Sequence, residues 1–327
     1  MQRINLQPTF TDLSVAELGS PRARAFFDRC LKEIPFDRLA ASVADVFDED
    51  HPAGGAPHWP VVTMLKIVFL QKCFALSDPM AEEMLRDRLS FRGFVGLSLD
   101  DKTPDHSTIC LFRQRLRESG HGQTLFDTTL EILRRRGIVV NTGTLIDATI
   151  MEAPLGSKRA DGSRSTDPEA TKTFKSGRIY HGYRAHVATD RRGIMTDYVF
   201  ATAATSEHVY FDHLARNEKK AVFADSGCRS QERIERLRNR GVVAVFCHRR
   251  VRGQKELSPQ QRRMNRLIAP IRALVEHPFA WIKLRLNNRR VRYRGRDRNG
   301  VDFGLSAMVY NWYRSMSLQP KEALAPG

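Results

Sequence analysis

Three acidic residues sit where a carboxylate can do chemistry. Asp147 lies in the β-branched run Leu-Ile-Asp-Ala-Thr-Ile, Asp225 ends the run Ala-Val-Phe-Ala-Asp, and Glu276 follows Leu274 and Val275 ahead of Phe279 and Trp281. A carboxylate among buried neighbours needs a partner, either a cationic side chain or a metal ion. Converging carboxylates suit hard divalent cations: Mg²⁺ takes oxygen ligands, usually one or two carboxylates plus substrate phosphate oxygens. Two such ions, roughly 3.5–4 Å apart, activate a nucleophile and stabilise the leaving oxygen of an in-line displacement. Those three acids therefore point to metal-assisted phosphoryl transfer. Structural ion pairs to Arg272 or Lys283 are the alternative for the same residues.

The charge pattern fits a phosphate-bearing substrate. The 327 residues hold 53 Lys plus Arg against 37 Asp plus Glu, a formal net charge of +16. The excess is one-sided: residues 1–136 carry 18 basic and 19 acidic side chains, leaving the surplus to residues 137–327. Within that half, residues 249–298 hold 16 basic residues against Glu256, Glu276 and Asp297. A solvated helix face mixes its signs, so a one-sign block of this length reads as a polyanion site, with nucleic acid the leading partner. Acids alone would repel DNA; Lys and Arg bind its phosphates while metal neutralises the carboxylates.

The elements that must position these residues can be read from periodicity. Residues 1–136 read as an all-helical region for DNA binding or dimerisation. Trp59 to Leu76 reads as a buried helix, Asp78 and Pro79 open the next, which runs through Met84, Leu85 and Leu89, and a helix with Ile109, Phe112 and Leu116 on one face follows a polar turn. Arg113 and Arg117 on that last helix are candidate DNA contacts in a helix-turn-helix arrangement, with core packing the alternative. Residues 137–327 read as the catalytic domain with a basic C-terminal segment. A strand over GIVVNTGTLIDATI, a polar loop from Gly156 to Gly177, and two strands joined at Arg191-Arg192-Gly193 come first. A helix around His208–Arg216, the strand AVFAD, a helix over Gln231–Arg238, the strand GVVAVFC and a long helix over Pro259–Asn288 follow, the last broken at Pro270 and kinked at Pro278. Three strands, helix, strand, helix, strand, helix is the order of the α/β ribonuclease H-like fold, a mixed sheet with flanking helices.

Nothing reads as an export signal or a membrane span, and the five scattered cysteines form no CxxC pair, so a cytoplasmic protein with reduced thiols is expected. His181 and His186 fall on opposite faces of a strand and cannot easily share a metal; Cys228 reads as a packed thiol, and Trp281 and Trp312 as core.

The run Arg272-x3-Glu276-x6-Lys283 resembles the Tyr-x2-Arg-x3-Glu-x6-Lys motif of DDE-type bacterial insertion-sequence transposases of the insertion-sequence-five group. Ala269, followed by Pro270, stands at the family's tyrosine position. Pro104-Asp105-His106-Ser107-Thr108, Asp147-Ala148-Thr149, Asp167-Pro168-Glu169-Ala170, Tyr180 to His186, Ala224-Asp225-Ser226-Gly227 and Val291-Arg292-Tyr293-Arg294-Gly295 resemble further blocks in the family's order. The resemblance implies a nucleoid-associated transposase that binds terminal inverted repeats, hydrolyses 3′ ends and joins them to target DNA, using Mg²⁺ or Mn²⁺, as a homodimer or larger assembly. On that reading Asp147, Asp225 and Glu276 hold metal. Arg272 and Lys283 contact phosphates near the scissile bond, and Arg289, Arg290, Arg292 and Arg294 track the backbone further along. A DNA-binding protein without catalysis and a ribonuclease H-like nuclease or resolvase are the alternatives.

Overall fold

The structure, a computed structural model, describes residues 21–47, 58–158, 166–250 and 254–318. The chain's opening residues, 159–165 of the expected polar loop and 251–253 of the basic block lie outside them. The chain divides into two compact units, residues 1–129 and 130–327.

The first unit is helical: α1 (Pro21–Glu33), α2 (Phe36–Ala41), α3 (Val61–Phe74), α4 (Asp78–Asp87), α5 (Leu89–Val95) and α6 (His106–Glu118), with α7 (His121–Arg135) carrying the boundary. The apolar run read as a buried helix is α3, whose side chains from Thr63 to Phe69 are almost all buried, with Phe36 and Phe94 packed on the Phe69 ring. The cap of α4 differs from expectation. Ser77, not Asp78, accepts the Met80 N–H, with Pro79 in the first turn. Asp78 is thereby free to take both guanidinium nitrogens of Arg113, which also donates to Gln71 at 2.9 Å. Helix α4 does not run on to Leu89: Arg88 is extended, and α5 is a separate helix. Asp105 caps α6 through the Thr108 N–H, and Ile109, Phe112 and Leu116 face inward as expected.

The second unit is built on one mixed sheet of β1 (Thr144–Glu152), β2 (Thr171–Lys175), β3 (Arg178–Thr189), β4 (Met195–Thr202), β5 (Ala221–Ala224) and β6 (Val243–Phe246). Strand β3 pairs antiparallel with β1 on one side; on the other it pairs with β4 along its second half and with β2 along its first. Strands β1, β5 and β6 run parallel. The resulting order β4-β3-β1-β5-β6 is ribonuclease H-like, with β2 an addition where the sequence reads as loop. Between the strands lie α8 (Phe211–Leu214), shorter than expected, and α9 (Gln231–Asn239); α10 (Pro259–Leu284) and α11 (Arg296–Ser317) close the unit.

Alternation along β1 divides the work of its two faces. Ile146 joins Ala188, Phe211, Leu214, Val222 and Leu237 in one apolar cluster. Asp147 points to the other side, where α10 packs on β1. Helix α10 runs unbroken through Pro270 and Pro278, contrary to the expected break, and seats Ile268, Val275, Phe279 and Ile282. Gly182 is required where β3 meets β1, because a Cβ there would lie 2.2 Å from the Met151 carbonyl oxygen. Helix α11 is buried along most of its length. Its Asn311 amide receives the Met195 N–H and donates to the Met195 carbonyl, both at 2.9 Å, serving the edge of β4 as a neighbouring strand would.

Candidate active site

Strands β1 and β5 are parallel neighbours, so residues near the C-terminal half of one and the end of the other share a region, the usual place for ligands in such sheets. Asp147 lies within β1; Asp225 follows β5 directly, its carboxylate receiving the Ser226 N–H at 2.7 Å at the start of a 3₁₀ turn, Ser226–Cys228. Arg272, from α10, reaches both. One guanidinium nitrogen is 3.8 Å from Asp147 and another 3.4 Å from Asp225, and the latter also donates to the Cys247 sulfur at 3.4 Å. Two carboxylates from separate strands thus face a common cation.

Their environments differ. The Asp147 side chain is 16% exposed and that of Asp225 42%. Burial pushes the Asp147 carboxyl up to about 6, opposed by its bond from the Ala148 N–H; nearby Glu207 adds to the rise, while Arg272 and Lys175 work against it. Glu207, in the turn after β4, is a carboxylate that the sequence reading missed. Nothing in the polar run Ala-Ala-Thr-Ser-Glu-His marks it, and only the fold brings it near Asp147, with Lys175 at 3.8 Å and Arg184 at 3.9 Å.

Glu276 is exposed on α10. At about 100° per residue Glu276 is about 40° round from Arg272, so it leaves α10 on nearly the same side as that arginine, at the edge of the buried face of Val275, Phe279 and Ile282. The apolar neighbours in sequence belong to that face; the acid does not. Among the described residues no group of three or more His, Cys, Asp or Glu side chains is gathered closely enough to hold an ion. The donor set nevertheless fits a divalent cation at two positions. Asp147 and Asp225 offer hard oxygens, and the buried Asp147 carries a charge that its surroundings leave incompletely compensated.

A family model described as a transposase DDE domain matches residues 140–312, more than half of the chain. The chain belongs to the DDE transposases. A second model, described as a transposase domain (DUF772), matches residues 20–115. Among solved structures, the chain is similar to the piggyBac transposase synaptic complex with hairpin DNA, at TM-score 0.46 and 9% identity over 95% of this chain and 77% of that one. It is also similar to the Mos1 strand transfer complex, at TM-score 0.21 and 14% identity over 96% and 92%. At these scores neither likeness adds to the argument.

In this transposase the remaining expected site residues fall into three groups. Lys283 lines a cavity between α10, β1 and the β2–β3 hairpin together with Arg289. Arg289, Arg290, Arg292 and Arg294 are all exposed. They lie on a segment pinned to the end of β1, where the Glu152 N–H donates to the Arg289 carbonyl and the Val291 N–H to the Glu152 carbonyl. In the first unit Arg113 turns inward to Asp78, with side chains only 11% and 19% exposed, which corrects its expected place on a DNA-facing surface; Arg117 pairs with Glu118 at 2.7 Å. The Asp167-Pro168-Glu169 block fastens the second unit. Asp167 accepts from the Tyr183 hydroxyl at 2.6 Å and the Gly295 N–H at 2.9 Å, and Glu169 from the Arg296 N–H at 2.7 Å at the start of α11. His186 is buried at 1% exposure on the face of β3 away from Asp147, and Cys228 and Trp312 are packed. All five cysteines are free thiols, and among the described residues no helix is long and apolar enough to cross a membrane.

Proposed function

We propose that this DDE transposase, of the insertion-sequence-five group, binds the terminal inverted repeats of its element, hydrolyses the 3′ ends and joins them to target DNA. The observation that carries the reading is Arg272 reaching Asp147 and Asp225 together, since it turns two acids 78 residues apart in the chain toward one point. Asp147 and Asp225 would hold Mg²⁺, with Mn²⁺ substituting, and Glu276 would complete the set from the rim of α10. What such an ion supplies is activation of the attacking oxygen, water first and then a DNA 3′-hydroxyl, and stabilisation of the leaving oxygen. The chain's own residues do the rest. Arg272 holds the two aspartates in register and offsets their mutual repulsion before substrate arrives. Lys283 contacts a phosphate beside the scissile bond, and Arg289, Arg290, Arg292 and Arg294 bind backbone phosphates without reading sequence. Residues 137–327 act as the catalytic domain. Residues 1–136 serve DNA binding or dimerisation, with Arg117 of α6 a DNA contact, and the protein acts as a homodimer or larger assembly on double-stranded DNA in the bacterial cytoplasm.

The test is a cleavage and joining assay on labelled DNA from the flanks of the protein's own gene, with Mg²⁺ or EDTA and with Asp225→Ala beside the wild type. Metal-dependent nicking and joining at discrete positions, lost in the variant, is the expected result. Specific binding with no cleavage would support a DNA-binding role alone, and cleavage without joining a nuclease.

A further inference from the structure

The β2–β3 hairpin has no part in the reading above. Its turn, Ser176-Gly177, has positive φ at both residues, 50° and 78°, the geometry that closes a two-residue hairpin without splaying its strands. Cross-strand register sorts its side chains onto two faces. On one, Phe174 lies opposite Ile179 and Lys172 opposite His181; on the other, Lys175 lies opposite Arg178 and Thr173 opposite Tyr180.

The first face ends in an uncovered apolar pair, with Lys172 and His181 behind it. Phe174 is 70% exposed and Ile179 66%, the two most exposed large hydrophobic side chains among the described residues. Single exposed hydrophobics are common; an adjacent exposed pair beside a two-residue turn is a candidate contact surface. The second face is cationic. With α10 and the end of β1 it lines a cavity of about 520 Å³ that holds Lys175, Arg178, Lys283 and Arg289 against the one acid Glu152. Glu152 pairs with Arg178 at 3.3 Å, and Glu207, outside the lining, with Lys175 at 3.8 Å, so the cavity keeps a smaller excess of positive charge from Lys283 and Arg289. Burial lowers the Lys283 pKa, with Lys175 and Arg289 lowering it further and Glu152 opposing them. Cations crowded in this way call for an anion. The cavity adjoins the candidate active site, because Thr149 in its lining alternates onto the same face of β1 as Asp147.

We propose that the β2–β3 hairpin is a DNA-opening wedge. Phosphates of one strand lie in the cavity against Lys175, Arg178, Lys283 and Arg289, and Phe174 with Ile179 presses into the neighbouring base step, replacing its stacking contacts and unstacking it beside the scissile phosphate. Apolar side chains that insert between base steps while cations hold the flanking backbone are an established way of deforming duplex DNA. Charge complementarity selects DNA over a second protein copy, since Lys172 shares the face of Phe174 and Ile179 and would oppose its own counterpart, while the cationic cavity behind the hairpin suits phosphate. The inference rests on the DNA-processing function proposed above.

The test compares full-length wild type with Phe174→Ser/Ile179→Ser on two probes: a labelled duplex from the gene's flanks, and the same duplex with one mismatch, each carrying 2-aminopurine beside that position. Wild type is expected to bind the mismatched probe about tenfold tighter or more, since part of the unstacking is already done, and to raise 2-aminopurine fluorescence on both. The double variant, altered only at exposed positions, should keep its melting temperature, its Mg²⁺-dependent nicking of the mismatched probe and its salt dependence, and lose the preference and the fluorescence rise. Lys175→Ala/Arg178→Ala should instead reduce the slope of log affinity against log salt by about 2. A double variant that keeps both preference and fluorescence overturns the wedge. So does one that keeps them while a wild-type dimer falls to monomer in sedimentation, which would make the hairpin a self-association surface. Wild type that neither binds nor nicks DNA would overturn the functional reading itself, a result separable from failure of the wedge alone.

Discussion

Removing the Asp167 carboxylate should destabilise the catalytic unit more than any single surface change. Asp167 is 5% exposed, and its carboxylate receives the Tyr183 hydroxyl at 2.6 Å, the Gly295 N–H at 2.9 Å and the Glu169 N–H at 3.1 Å. Asp167→Ala leaves the hydroxyl of the wholly buried Tyr183 and the Gly295 N–H without an acceptor. At about 1–3 kcal/mol for each orphaned buried donor, with bonds to a charged acceptor toward the upper end, the cost is about 3–5 kcal/mol. Tyr183→Phe removes one bond and leaves Asp167 two N–H donors, so it should cost only about 1–2 kcal/mol. The double variant should cost less than the sum by about 1–2 kcal/mol, because the hydroxyl lost in Tyr183→Phe is one of those stranded by Asp167→Ala. Urea unfolding of the four proteins, followed by tryptophan fluorescence, measures all three quantities. An Asp167→Ala cost within about 1 kcal/mol, or strict additivity in the double variant, would refute the reasoning. The consequence reaches beyond stability, since the same bonds fix the start of α11 just after the arginine segment 289–294.

His186 supplies a pH dependence. Burial, with Arg184 nearby, lowers its pKa from 6.5 to about 4, so between those values the unfolded chain takes up a proton that the folded one refuses. Stability is therefore lost as pH falls through this window, by about 2 kcal/mol between about pH 7 and 5, and His186→Leu should flatten that part of the urea-midpoint profile; an unchanged slope would contradict it. Arg113→Ala breaks a mostly buried ion pair and should cost about 3 kcal/mol in the helical unit with DNA affinity unchanged at temperatures where it stays folded; lost affinity with stability intact would return Arg113 to the DNA surface. Arg289→Ala/Arg290→Ala should weaken binding to all duplexes alike and lower the salt slope by about 2, as anisotropy titrations would show; a sequence-dependent loss would mean base contact instead.

Local pattern carried much of this architecture. The apolar helix α3, the β3–β4 hairpin and strands β5 and β6 follow from composition and turn chemistry, and Asp147 and Asp225 stand out because each is an acid in a strand-like apolar run. What escaped reading depends on distant partners. Strand β2 is Thr-Lys-Thr-Phe-Lys, polar and lysine-rich, and it exists through its pairing with β3. Helix α10 survives two prolines because the packing of Ile268, Val275, Phe279 and Ile282 outweighs the lost backbone bonds. Arg272 was legible as a cation four residues before an acid, but its engagement with Asp147 and Asp225 comes from the packing of α10 on β1. Glu276 is exposed although Val275 and Phe279 beside it are buried, because helical rotation sets it at the edge of the face they share.

The most direct test of the metal role is an electron paramagnetic resonance titration of Mn²⁺ into wild type, Asp147→Asn and Asp225→Asn. If these two carboxylates hold the ion, each substitution should weaken Mn²⁺ binding by about tenfold or more, since even outer-shell changes cost that much, while the folded chain and its duplex DNA affinity persist. Equal Mn²⁺ affinity in wild type and both variants would contradict the assignment and return Asp147 and Asp225 to a structural ion pair with Arg272.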